Sequence, residues 1–283
     1  MSSIFREQRC IIRDKGDMLP RMPVAAERSP RRGNSTADRA IDILLLFDDQ
    51  RLSLSVDEIT RGLKTHRSTT YRYLQSLRSY GLIEENDSSG GFRLGLAVFR
   101  LARAARQGMG LSEIALPIMH ELVAQTGETA LLTRHTDAHV VCIERVESQH
   151  RVRLSYERGQ VLPLHAGASA KVLLAYLDPQ EIEAILSNGP FPRYTEHTMT
   201  DPDTLRRQLE VIRSRGYAMS EGEVDDGVRG VAAPIIDAHK RVVAGLSVAG
   251  PAFRIDESVL PGVIQAVQEA ANRISSRIRE RDI

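Results

Sequence analysis

Between Leu63 and Arg78 the chain carries Lys64, Arg67, Arg72 and Arg78, one histidine and no acidic residue. If the segment is helical, Thr70, Leu74 and Leu77 form an apolar stripe, and Arg67, Ser68, Thr69, Arg72, Gln75 and Ser76 fall on the polar face. That set suits nucleic acid: arginine binds guanine bidentately, glutamine reads adenine, and hydroxyls take phosphate. Upstream, the breaker-rich segment 28–34 supplies Arg31 and Arg32 as a basic arm for phosphate or the minor groove. A solvated helix face has the same composition, so the neighbouring elements must decide.

A second cluster lies at 164–170, Leu-His-Ala-Gly-Ala-Ser-Ala. Small residues at a helix start let a ligand approach the backbone, and amides near Ala168 and Ser169 suit a carboxylate. The same residues also permit tight helix–sheet packing. Ser169 and Lys171 have the composition of a nucleophile pair. On a helix, however, side chains at i and i+2 diverge by about 200° and do not meet. His165 has no evident nucleophile beside it in sequence. An enzyme of amidase or esterase type with an accessory winged-helix domain is therefore the alternative, not the main reading. No metal site or cofactor is expected, since the eight histidines are scattered and no Cys-x-x-Cys occurs.

The elements that must position these clusters are marked by caps and periodicity. Ser35 opens a helix with Ala37, Ile41, Leu44 and Leu45 inward. Ser55 and Glu58 form a capping box for a second helix to about Leu63. A third runs from about His66 to Tyr80, capped by Thr65 and ended by Gly81. Apolar flanks around 86–91 predict a hairpin. A helix over 95–107 carries Val98, Leu101, Ala102 and Ala105 on one side. Beyond it, helices are expected at 111–125, 168–177, 179–186, 202–215 and 257–279. Strands are expected at 129–133, 140–146, 152–156, 217–220, 231–236 and 242–249. This order predicts an α+β fold with a mainly antiparallel sheet.

The 283 residues fit two domains. No apolar run approaches the ~18–20 residues that span a bilayer. Residues 1–22 lack the apolar centre of a secretion signal and read as a disordered tail or a late start. Two cysteines make no disulfide framework, which fits a reducing cytoplasm. Residues 1–100 hold 17 Lys and Arg against 13 Asp and Glu, a mild tilt toward nucleic acid. The expected division is a basic arm at 1–34, a winged helix-turn-helix at 35–94, a connecting helix at 95–108 and a larger domain at 109–283.

The chain resembles the IclR family of bacterial transcriptional regulators. The resemblance rests on Arg39–Leu44, the Arg-Ser-Thr-Thr-Tyr-Arg run at 67–72, Tyr80–Ile83 and Phe92–Leu96. Downstream it continues through Leu164–Gly167, Lys171–Ala175, Arg215–Ala218, Glu221–Glu223, Arg229–Asp237 and Gly245–Pro251, covering about residues 35 to 275. It implies a winged-helix reader joined by a helix to a GAF-like effector domain, assembled as a homodimer or homotetramer. The partners it implies are operator DNA and a small effector of the organic or aromatic acid class. By the same alignment Gly167, Ala168, Ser220, Gly230, Ser247 and Ala249 fall at pocket-lining positions. Gly230 stands where several members have cysteine, Ser220 where some have aspartate, and Ala249 where some have a second serine, so the effector's identity does not carry over.

Overall fold

The computed structural model describes residues 36–280 apart from 49, 87–89, 109, 137–138 and 155. Arg31, Arg32, the Ser35 cap and the tip of the hairpin lie outside the described residues.

The N-terminal unit is α1 (Thr36–Leu44), α2 (Val56–Leu63), α3 (Arg67–Ser79), β1 (Ile83–Asn86) and β2 (Gly91–Leu94). Ser55 caps α2 as expected, its hydroxyl accepting from the Glu58 amide while the Glu58 carboxylate accepts from the Ser55 amide. The cap of α3 is His66, not Thr65. The Thr65 amide bonds back to Thr60, so Thr65 closes α2 and leaves the next residue to open α3. Lys64, at φ 50°, makes the left-handed step between the helices. Gly81, at φ +68°, follows α3 where the sequence asked for a left-handed glycine. Antiparallel β1 and β2 form the wing, and Leu54 bridges to Phe92 through amide–carbonyl bonds of 2.9 and 2.8 Å.

The unit closes over Ile43, Ile59, Leu63, Leu74, Leu77, Ile83 and Phe92. One expectation fails here. Ile41 and Leu45 are exposed at 52% and 43%, Ala37 is exposed, and Ile43 is fully buried instead. From Ile41 to Phe47 nearly every residue is apolar, so periodicity cannot select the inward face and packing against α3 does.

The connecting helix α4 (Leu96–Gly108) leaves Leu96, Phe99 and Leu101 exposed at 72%, 71% and 60%. Of the expected stripe, Val98 is half-buried and Leu101 and Ala102 are exposed, while the Ala105 side chain lies outside the described residues.

The larger domain continues with α5 (Leu111–Thr126), β3 (Thr129–Thr136), β4 (His139–Val146), β5 (Val161–Leu162) and α6 (Ala168–Leu174). It then runs through α7 (Pro179–Leu186), α8 (Pro202–Arg215), β6 (Ala218–Glu221), β7 (Val228–Ile236), β8 (Val242–Pro251) and α9 (Leu260–Glu280). The six strands form one antiparallel sheet in the order β5-β4-β3-β8-β7-β6. Helices α5 and α9 pack on one face around Ile118, Leu246, Val248 and Val267. Helices α6, α7 and α8 pack on the other around Val172, Leu173, Leu205 and Ala232. Of the strand expected at 152–156, the described residues 152–154 and 156 are not strand. The Val152 carbonyl accepts from Arg254 and the Tyr156 carbonyl from Arg145, so side chains replace a ladder partner. The edge strand beside β4 is the shorter β5, which the sequence pattern did not reveal.

Candidate functional site

Antiparallel register brings distant residues to one face of the sheet. Ser220 on β6 pairs with Gly230 on β7, which pairs with Ala249 on β8. Ser247, two residues before Ala249, points to the same face because side chains alternate along a strand. The loop before α6 lies over this row. Gly167 holds φ +84° and ψ 150°, a conformation essentially reserved for glycine. Together Gly167, Ala168, Ser169, Ser220, Gly230, Ser247 and Ala249 line a cavity of about 40 Å³, with Leu131, Tyr156, Glu223 and Asp225 completing the wall.

The polar contacts around the cavity are specific. The Ala168 amide donates to Ser220 Oγ at 3.0 Å, and the Gly167 amide donates to Glu223 Oε2 at 2.9 Å. Of the amides that the sequence pattern offers to a ligand, that of Ala168 is thus taken by the Ser220 hydroxyl, while Glu223 holds the amide one residue earlier. Ser169 Oγ and Ser247 Oγ share a 2.7 Å hydrogen bond. Lys171 is fully buried behind the wall, donating to the Met219 carbonyl at 3.1 Å and to Glu223 Oε1. Burial pulls its ammonium below the ordinary lysine value, against the opposing pull of the Glu223 charge. Ser169 and Lys171 thus face different partners, as the helix geometry required. The Asp225 carboxyl is raised by burial and then by its neighbour Asp226.

A strap at 191–198 holds both loops. His165 stacks on Phe191 and Tyr194 with centroids at 4.8 and 5.6 Å, and its Nε2–H donates to the Pro192 carbonyl at 2.9 Å. Burial lowers the imidazole's proton affinity. Thr195 and Thr198 donate to the carbonyls of Gly222 and Glu223. His165 is therefore a packing and positioning residue. Sequence reasoning missed Lys171 and Glu223 as partners. The available signal was a lysine within the apolar run Ala-Ser-Ala-Lys-Val-Leu-Leu.

A larger groove of about 570 Å³ lies between α5 and β4, rimmed by His120, His150, Arg145 and Arg158. Its arginines are already paired, Arg145 with Glu147 at 2.9 Å and Arg158 with Glu144 at 2.5 Å. The smaller cavity is the more enclosed of the two, and polar groups from several elements converge on it.

On α3, Arg67, Ser68, Arg72, Gln75 and Ser76 are exposed and Thr69 is half-buried. Arg67 reaches Asp57 at 3.5 Å, a solvent-exposed contact that DNA phosphates or bases would readily replace. Tyr71, 47% exposed, shares this face and was not singled out from sequence; the Arg67 guanidinium lies 5.9 Å from its ring. Arg78 is tied to Glu85 of the wing at 2.5 Å. From α2, Thr60 Oγ1 donates to buried Thr70 Oγ1 of α3 at 3.1 Å, fixing the angle between the two helices.

Against the expectation that the histidines are scattered, His135 and His139 stand in a His-x-x-x-His spacing. The pair lies on β3 and β4, where His139 faces Thr136 and His135 faces Val140. Among the described residues no group of three or more His, Cys, Asp or Glu is placed to hold a metal. No helix among them is long and apolar enough to cross a membrane.

Residues 36–87 match the family model for the IclR helix-turn-helix domain, and 103–276 match that for the C-terminal domain of the bacterial transcriptional regulator IclR. The chain is 35% identical to the HTH-type transcriptional regulator BhcR of Paracoccus denitrificans (strain Pd 1222), over 86% of this chain and 87% of that one. It is 30% identical to the regulator KdgR of Escherichia coli (strain K12), over 88% and 94%. Among solved structures, an IclR transcriptional regulator from Silicibacter sp. TM1040 superposes with a TM-score of 0.79 at 27% identity, covering 86% of this chain and 96% of that one. An IclR homologue from Microbacterium hydrocarbonoxydans, complexed with 4-hydroxybenzoate, gives 0.75 at 29% identity, covering 86% and 99%.

Proposed function

The chain belongs to the IclR family of bacterial transcriptional regulators, and from that premise we propose that α3 reads operator DNA while the cavity under Gly167 takes a short organic acid that sets operator affinity. The observation that carries this reading is the convergence of residues from α6, β6, β7 and β8 on one enclosed cavity, in a chain whose other domain presents an acid-free polar helix. A space of about 40 Å³ has room for about three waters, which suits an acid of roughly two or three carbons. On volume, the short branch of the expected acid class is favoured over the aromatic one. The acid's carboxylate takes the hydroxyl hydrogen left over from the Ser169–Ser247 pair.

The effector acts by binding one arrangement of the reading heads more tightly than another. Coupling of about 1–3 kcal/mol changes operator affinity roughly 5–150-fold. No catalytic step is proposed, and the protein acts in the cytoplasm on DNA. Filling the cavity tests the reading. Ala249, on regular strand backbone, is a cleaner position than Gly167, where any side chain strains the loop. Ala249→Leu is expected to fold, to bind operator as the wild type does and to lose the response to acid. A retained response with unchanged affinity places the effector elsewhere.

The reading also needs two heads, since one helix and wing cover only a few base pairs. The exposed Leu96, Phe99 and Leu101 of α4 are the apolar surface we assign to pairing between copies. Phe99→Asp combined with Leu101→Asp is expected to shift the protein toward monomer in sedimentation velocity and to weaken operator binding. A wild-type protein that is monomeric at micromolar concentration, with and without DNA, contradicts this assignment.

A further inference from the structure

The polar groups lining the cavity divide by whether they already have partners. Ser220 Oγ accepts the Ala168 amide, and the two Glu223 oxygens meet the Gly167 amide and Lys171. The Ser169 and Ser247 hydroxyls bond each other, which uses one hydroxyl hydrogen and leaves the other to donate. Tyr156 also lines the cavity, and the Asp225 charge adds to the burial that opposes ionisation of its hydroxyl. Asp225 differs from the acceptors above. It lines the same cavity, it is half-buried, and among the described residues its carboxylate accepts no hydrogen bond. No lysine, arginine or histidine lines the cavity beside it.

An ionised carboxylate can only accept hydrogen bonds, and one left without a donor away from bulk water destabilises its surroundings. The Asp225 oxygens stay open to the cavity, so solvent serves them until a ligand fills the space and must supply the donor itself. The cavity therefore has two chemically distinct ends, a hydroxyl donor at Ser169 and Ser247 and an unmatched acceptor at Asp225. A simple alkanoic acid satisfies the first and buries the second against carbon. A 2-hydroxy or 2-amino acid of the same length satisfies both.

The geometry points to Asp225 as a specificity determinant that selects, among short acids, those bearing a hydroxyl or ammonium donor on the carbon chain. This rests on reading the cavity as the effector site, and it narrows the effector's chemical class. A site built to meet such a donor rejects the analogue lacking it, because the buried acceptor is then left unpaired.

Calorimetric titration of the full chain with two matched series, acetate, glycolate and glycine, then propionate, lactate and alanine, tests the inference. In the wild type the hydroxy or amino acid is expected to bind at least about tenfold more tightly than its parent acid. The rank of glycolate against glycine, and of lactate against alanine, tells hydroxyl from ammonium. In Asp225→Ala the gap is expected to fall to about threefold or less, while Asp225→Asn, whose amide oxygen still accepts, keeps part of it. Equal binding of parent and substituted acids, or a gap that survives in Asp225→Ala, overturns the role of Asp225 and leaves the acid pocket standing. Failure of every acid in both series to bind overturns the acid pocket itself, and the role of Asp225 with it.

Discussion

Lys171→Ala is expected to destabilise the larger domain by about 3–5 kcal/mol, because it strands the Glu223 carboxylate in a buried site. At this chain length that corresponds to a fall of roughly 6–20 °C in melting temperature. Glu223→Gln alone is expected to be harmful as well, since the ammonium loses its counter-charge and the single amide oxygen cannot accept from both Lys171 and the Gly167 amide. The combination Lys171→Met with Glu223→Gln is expected to recover much of the loss, because a buried pair replaced by neutral groups of similar size is often tolerated. A thermal-melt cycle over the two single variants and the double variant measures this non-additivity. Additive losses would show that the two side chains act independently. The pair matters for function because Glu223 also holds the Gly167 amide, so the loop over the cavity is anchored through Lys171 to the floor of α6.

The second large effect is on DNA. Arg67→Ala combined with Arg72→Ala is expected to weaken operator binding by roughly 5–150-fold for each arginine that reads a base, with relaxed specificity at those positions. The folded state is expected to be little affected, since both side chains are solvent-exposed and the Arg67–Asp57 contact is an exposed surface pair. Competition between specific and random duplexes separates this from a uniform phosphate effect. Unchanged operator affinity in the double variant would remove α3 from the interface.

Much of this architecture is written locally in the chain. Ser55 with Glu58, Gly81, Asp178 before Pro179, and Asp201 before Pro202 each fix a helix end within a few residues, so short-range chemistry suffices. Period-two alternation likewise brings Ser247 and Ala249 to one face. The misses are long-range. Ile43 and not Ile41 is buried because α1 is apolar nearly all round at its end, and only its neighbours choose the face. Segment 152–156 alternates like a strand, but arginines from other elements take two of its carbonyls. Lys171 and Glu223 meet across 52 residues of sequence, a separation at which spacing carries no signal. The seven cavity residues are legible through family resemblance and small-residue chemistry, whereas the unpaired state of Asp225 emerges only in the folded chain.

On the proposed reading, a short acid in the cavity controls how tightly the paired α3 helices hold their operator. The direct measurement is fluorescence anisotropy of a labelled duplex, selected from random sequence by the protein itself, titrated with and without the tightest-binding acid of the two series. An affinity change of roughly 5–150-fold is predicted in the wild type and none in Ala249→Leu. Identical curves at saturating acid in the wild type, or an equal shift in Ala249→Leu, would contradict it.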